Sequence, residues 1–226
     1  MASDLHAVLI ADVVASGARG SLRSLLHERL QRASRVHLRN KWLRLPYAVT
    51  AGDEFQAIAA RLDAVPRLLL DLRVQLRPLS LRIGVGIGKV PGRITPPVNR
   101  LDGEAFRLAR QAIDSLKKPG AQATGSLTAF RTANEEFDAT INLIYALQDT
   151  LVRQITEQQW NTIRARLKCR RIEDAARALE LDTSTVSRNL KRGYYGQLVA
   201  TANGAQMLIG RQFGNLHRGV QAMRVA

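Results

Sequence analysis

Apolar positions fall along this chain in two rhythms. Residues 6–14, HAVLIADVV, form a β-branched run of strand length that reaches Asp12. After the turn-rich ASGARGS the spacing changes. Leu22, Leu25, Leu26, Leu30, Ala33 and Val36 recur at helical intervals with Arg, His and Glu between them, which predicts a helix reaching about Leu43. PYAVT and EFQAI are two short strand-like runs joined by AGD, and a glycine in so short a connection supplies the positive φ of a tight hairpin. RLDAVPRLLLDLRVQL predicts a helix with Pro66 near its first turn, where a missing N–H is tolerated. LSLRIGVGIGKV predicts another strand, and Gly84, Gly86 and Gly88 within it imply close approach of a backbone or a ligand. The proline-rich loop PGRITPPVNR leads into DGEAFRLARQAIDSLKK, a strongly periodic helix with Asp102 as its expected N-cap and Lys117 and Lys118 at its end. GAQATGSLTAF has room for one weak strand.

Beyond about Asn134 the strand rhythm stops, and every segment to the end of the chain is helical in pattern. The expected architecture is therefore α+β: residues 1–130 as one domain and 131–226 as an all-α domain, with a connecting helix between them. The order strand, helix, hairpin, helix, strand, helix suits a ferredoxin-like, palm-type sheet with helices packed on one face.

Composition narrows the function classes. The chain has 226 residues and a formal net charge of +15, which points to a polyanionic partner wherever that charge clusters on a binding element. Arginine supplies most of it, so composition alone also fits an arginine-rich background. No apolar run has the roughly 20 residues of a membrane span, and the N-terminus lacks a signal-peptide pattern, so a cytoplasmic protein is expected. The single Cys169 excludes an internal disulfide and a cysteine-rich zinc site, and His6, His27, His37 and His217 show no ligand spacing.

Two carboxylates carry the candidate chemistry of the first domain. Asp12 ends the first strand and Asp53 sits in the hairpin turn, positions that a palm-type sheet brings side by side. Carboxylates held together repel, and a divalent cation relieves the repulsion; two Asp with phosphate oxygens and water make a suitable Mg2+ site. The alternative is that Asp53 is only the tip of a tight hairpin and Glu54 a solvated strand residue.

Four motifs then bring in a resemblance. IADVVAS resembles the first metal-binding strand of class III nucleotide cyclases, TAGDEFQAI their Gly-Asp hairpin and the GGDEF hairpin of diguanylate cyclases, LRIGVGIGKV a further cyclase strand, and DGEAFRLARQA the helix that follows. The ordered set most resembles the SatD family, which pairs a cyclase-like domain with a C-terminal helix-turn-helix region. The resemblance implies Asp12 and Asp53 as metal ligands and a bound nucleotide. Val13, Val14 and Ser16 would cradle its phosphates, Gly52 would allow close approach to the hairpin, and Glu54, Arg107 and Arg110 would complete the set. On the late helix, Arg107 and Gln111 stand where cyclases carry an Asn and an Arg, with Arg110 facing elsewhere, so the resemblance supports a nucleotide site more than cyclisation. Arg107 and Arg110 as mere solvated residues, and Arg82 as a structural partner, stay open.

In the second domain RIEDAARALELDTSTVSRNLKRG resembles the helix-turn-helix of bacterial regulators, within about residues 157–193. Ala175 and Ala176 allow close helix approach, Val186 and Leu190 form an inward i,i+4 pair, and Thr183 is the expected cap. Ser184, Thr185, Ser187, Arg188, Lys191 and Arg192 are left mainly outward, as entry into a DNA major groove requires. Three readings follow: a DNA-binding regulator with a nucleotide-binding sensor domain, an enzyme acting on nucleoside triphosphates, or an interaction scaffold. A homodimer suits both halves.

Overall fold

The computed structural model describes residues 5–14, 19–50 and 52–214. Five strands form one mixed, open sheet in the order β2-β3-β1-β4-β5. The central strand β1 (Leu5–Val13) runs antiparallel to both β3 (Phe55–Ile58) and β4 (Leu81–Lys89). β2 (Ala48–Val49) extends β3 as an antiparallel edge, and β5 (Thr128–Arg131) joins β4 in parallel.

β1 is buried on both faces, so alternate residues feed two different cores. Ala7, Leu9, Ala11 and Val13 face a core shared with α1 (Arg19–Arg39) and α2 (Val65–Leu76), where Pro66 lies in the first turn as expected. Val8 and Ile10 face the opposite way, onto Ala105, Phe106, Ala109 and Ile113 of α3 (Glu104–Ser115). Helices thus cover both faces, not one. The glycines of β4 explain the second layer: a Cβ built at Gly84 or Gly86 would fall inside the α3 backbone at Ile113 and Ala105, and one at Gly88 would meet Glu104. The close approach implied by the sequence is that of a helix. α3 begins after Gly103, whose φ of 143° only glycine adopts readily. Asp102 accepts from the Gly103 N–H at 2.6 Å instead of capping the helix.

α4 (Pro119–Thr124) precedes β5, and the chain is helical thereafter: α5 (Glu135–Val152), α6 (Glu157–Lys168), α7 (Ile172–Leu179), α8 (Thr183–Arg192) and α9 (Tyr195–Phe213). The expected division near residue 130 is not a gap in packing. Phe137, Ile141 and Tyr145 of α5 and Ala205 and Ile209 of α9 belong to the same core as β1 and α2. A second core joins Leu70 and Val74 of α2 to Trp160, Ile163, Val186 and Leu190. Buried Arg73 ties the layers together, donating to the Leu81 carbonyl at 3.0 Å, to Thr128 Oγ1 at 2.7 Å and to Asp149 Oδ1 at 3.2 Å. Burial pushes the Asp149 carboxyl up while the Arg73 charge holds it down.

Candidate functional site

The register at the end of β1 decides which acids meet. β1 and β3 pair Ile10 with Gln56 and Ala11 with Phe55, so one step further it is Glu54, not Asp53, that lies alongside Asp12. Asp12 and Arg82 are direct cross-strand partners on the other side. The hairpin closes where the Thr50 N–H donates to the Glu54 carbonyl at 2.9 Å, and Gly52 adopts φ 64° as its sequence predicts. Asp53 is left in the turn, half-buried, with no hydrogen bond or ion pair among the described residues.

Each neighbouring acid is already matched by cations of the chain itself. Arg82 Nε donates to Asp12 Oδ1 at 2.9 Å, and Lys117 Nζ lies 3.2 Å from Asp12 Oδ2. Arg110 grips Glu54 through two parallel bonds of 2.7 Å, the bidentate geometry that makes Arg–carboxylate pairs strong. Thr50 Oγ1 adds a third bond to Glu54 at 3.0 Å. The Arg110 guanidinium holds the Glu54 carboxyl below its ordinary range against the opposing effect of burial, and Glu54 raises Arg110 in return.

This donor set does not fit the expected Mg2+. The directions from which a cation would approach Asp12 are occupied by Arg82 and Lys117, and like charges would repel it. The β1–β3 register continues to Glu54, not Asp53, as the residue alongside Asp12. The phosphate cradle is also altered. Val13 is a buried ladder residue opposite Leu81, and the Val14 N–H is used by the Ser80 carbonyl at 2.8 Å. Ser16 lies outside the described residues.

An open cleft of about 460 Å³ lies beside this network, between the α3 face of the sheet and the loop before α3. Ile10 and Phe106 line it with Gln56, Asn99, Asp102, Arg107, Arg110 and Gln111. Arg107 and Arg110 thus share one cleft, as their i,i+3 spacing, about 60° apart around the helix, allows. Lys117 was not among the sequence candidates; it lies just past the end of α3, and only the packing of α3 on β4 brings it over Asp12. His37 was likewise illegible as a functional residue. It is fully buried, joined through Nε2 to Asp71 at 2.7 Å and through Nδ1 to the Tyr47 hydroxyl at 2.8 Å, and it ties α1 to α2 rather than binding a ligand.

The second candidate is the trio α6, α7 and α8. A capping box on Thr156 and Gln159 starts α6, and Trp160 and Ile163 are buried beneath α8. α7 ends at Glu180 in the left-handed region, and the Leu181 N–H reaches back to the Ala176 carbonyl at 3.0 Å, closing a Schellman-type turn. The cap position of α8 is Asp182, one residue before the expected Thr183. Val186 and Leu190 are buried as predicted, while Ser184, Ser187, Arg188, Lys191 and Arg192 are exposed and Thr185 half-buried. Arg188 donates to Thr185 Oγ1 at 3.2 Å. Among the described residues no ion pair engages Arg188, Lys191 or Arg192, and no helix is long and apolar enough to cross a membrane.

No protein of curated function matches the chain. Among solved structures it is similar to two of a bacterial light-regulated adenylyl cyclase, at 16% identity over 56% of this chain and with TM-scores of 0.40 and 0.41; the matches cover 74% and 42% of those chains. It is also similar to a regulator of polyketide synthase expression from Bifidobacterium adolescentis, at 18% identity over 92% of this chain and 81% of that one, with a TM-score of 0.29. Similarity this low transfers no function. The SatD family pattern, in contrast, is matched from residue 6 to residue 208, nearly the whole length, and the chain belongs to the SatD family.

Proposed function

We propose that this chain is a cytoplasmic DNA-binding regulator in which α7 and α8 form a helix-turn-helix on the support of α6, with α8 entering the major groove. One observation carries the reading: α8 buries Val186 and Leu190 while presenting hydroxyls in its first turns and Arg188, Lys191 and Arg192 further along. Hydroxyls at the helix start suit base edges and nearby phosphates, and cations further along suit the backbone. Titrating labelled duplex DNA with the wild-type chain and with Arg188→Ala tests it. Arg188→Ala is expected to weaken binding about tenfold, and equal retention on DNA at low salt sinks the reading.

On this reading the α+β part is the sensor, a ferredoxin-like unit extended by β5; the strand order β2-β3-β1-β4 supports that reading. Its ligand is a nucleotide or similar anion lying in the cleft beside α3, with Arg107 toward its phosphates. Cyclisation is not part of the reading, because Arg107 and Gln111 stand where cyclases carry an Asn and an Arg, and Arg82 and Lys117 pair with Asp12. Thermal unfolding with nucleotides, with and without Mg2+, tests the sensor role. Stabilisation by nucleotide that Arg107→Ala removes is expected, and no shift with any nucleotide refutes it.

A further inference from the structure

A second cleft, of about 410 Å³, lies on the face of the sheet opposite α3, between α1 and the edge strand β2. His27, Leu30, Gln31, Ser34, Arg35 and Leu38 line it from α1, a stripe at helical spacing beside the one that enters the core through Leu26 and Ala33. Pro46, Tyr47 and Val49 form the facing wall. That wall is fixed from below. The Tyr47 N–H donates to Ser34 Oγ at 3.1 Å, and the Tyr47 hydroxyl is bonded to His37 Nδ1 at 2.8 Å, with His37 held in turn by Asp71. Burial, reinforced by the Asp71 charge, pushes the Tyr47 hydroxyl well above its ordinary range, so it is neutral at pH 7.

The lining narrows the occupant. Leu30, Leu38, Tyr47 and Val49 offer apolar surface, and no Asp or Glu is among the described residues that line the cleft. Arg35 stands exposed beside them, and among the described residues no ion pair or hydrogen bond engages its guanidinium. A guanidinium takes one carboxylate through two parallel bonds, and the apolar wall takes the body to which that carboxylate is attached. A nucleoside triphosphate carries more negative charge than a single guanidinium matches. An added peptide strand fits no better, because Pro46 has no N–H and that of Tyr47 is spent on Ser34. The volume falls within the roughly 300–1,000 Å³ of small-molecule sites.

We propose that the cleft between α1 and β2 binds a small carboxylic acid with an apolar body, its carboxylate on Arg35 and its body along Leu30, Leu38 and Tyr47. The site is separate from the cleft beside α3 and stands whether or not a nucleotide binds there. Titration calorimetry of the full chain with 3-phenylpropionate and with octanoate tests the proposal. Saturable binding of at least one acid is expected, and the neutral amide of that acid is expected to bind about tenfold more weakly, because it forfeits the charge-assisted bonds. Acetate, which keeps the charge and lacks the body, is expected to bind more weakly too. Arg35→Gln is expected to cost about tenfold, whereas Arg39→Gln, exposed one turn further on and outside the cleft, leaves affinity unchanged. Gln31→Trp, which fills the cleft from an exposed position, is expected to abolish binding with the far-UV spectrum unaltered. Arg107→Ala is expected to leave binding of the acid intact. No saturable heat with either acid, an amide equal to its acid, equal losses in Arg35→Gln and Arg39→Gln, or undiminished binding by Gln31→Trp overturns the proposal.

Discussion

The basic side chains at the end of the sheet and those on α8 are the same chemistry under opposite conditions. Arg82 sits 2.9 Å from Asp12, Lys117 3.2 Å from the same carboxylate, and Arg110 2.7 Å from Glu54. Among the described residues Arg188, Lys191 and Arg192 meet no acid at all. Matched cations cancel their own field within a few ångströms, whereas unmatched ones sum into a patch that reaches beyond the surface. A net charge of +15 therefore says little about where a polyanion binds. What matters is where the fold has withheld a carboxylate.

The sharpest way to break this contrast is to remove charge from both regions and compare. Arg188→Ala with Lys191→Ala is expected to lower DNA affinity about 100-fold and to flatten its dependence on salt, while Arg82→Ala leaves affinity within about twofold. Equal losses in fluorescence anisotropy would mean that both regions contribute to one field. Next in size, Asp12→Ala leaves Arg82 and Lys117 facing each other with no acid between them. Urea unfolding is expected to register a loss of about 1–3 kcal/mol.

A smaller effect concerns Glu54. Because Arg110 holds its carboxyl below the ordinary value of 4.5, the ionised form favours the folded chain. That contribution is complete above pH 4.5 and fades as pH falls through the lowered folded value. Arg110→Ala is expected to remove this acid-limb dependence, read as the pH profile of the urea midpoint, and an unchanged profile would show the pair to be inert. The smallest expected effect is at the turn that presents α8. Glu180 adopts φ 54°, which costs a side chain but not a glycine. Glu180→Gly is expected to gain about 0.5 kcal/mol in thermal unfolding with DNA affinity unchanged.

The elements were legible because their rhythms are local. The period of α3, the glycines of β4 and the inward pair Val186 and Leu190 each follow from residues within a few turns of one another. What escaped depended on pairing between distant segments. Nothing near Asp53 reveals that the β1–β3 register sets Glu54 beside Asp12, and a shift of one residue exchanges the two acids between faces. Lys117 reaches Asp12 across 105 positions of sequence only because α3 lies on β4. The expectation of helices on a single face failed for the same reason. The glycines signalled contact, but not which element would make it.

That seam between β4 and α3 sets an unequal freedom to vary. At Gly84 and Gly86 the helix backbone stands where a first side-chain carbon would be, so those codons admit one amino acid unless α3 itself moves. The outward positions of α8 support no packing and can be rewritten without disturbing the frame. Lineages of this fold would diverge in what they recognise long before they diverge in how the sheet is clad. On the proposed reading, an engineer wishing to redirect the molecule would edit α8 and leave the glycine ladder alone.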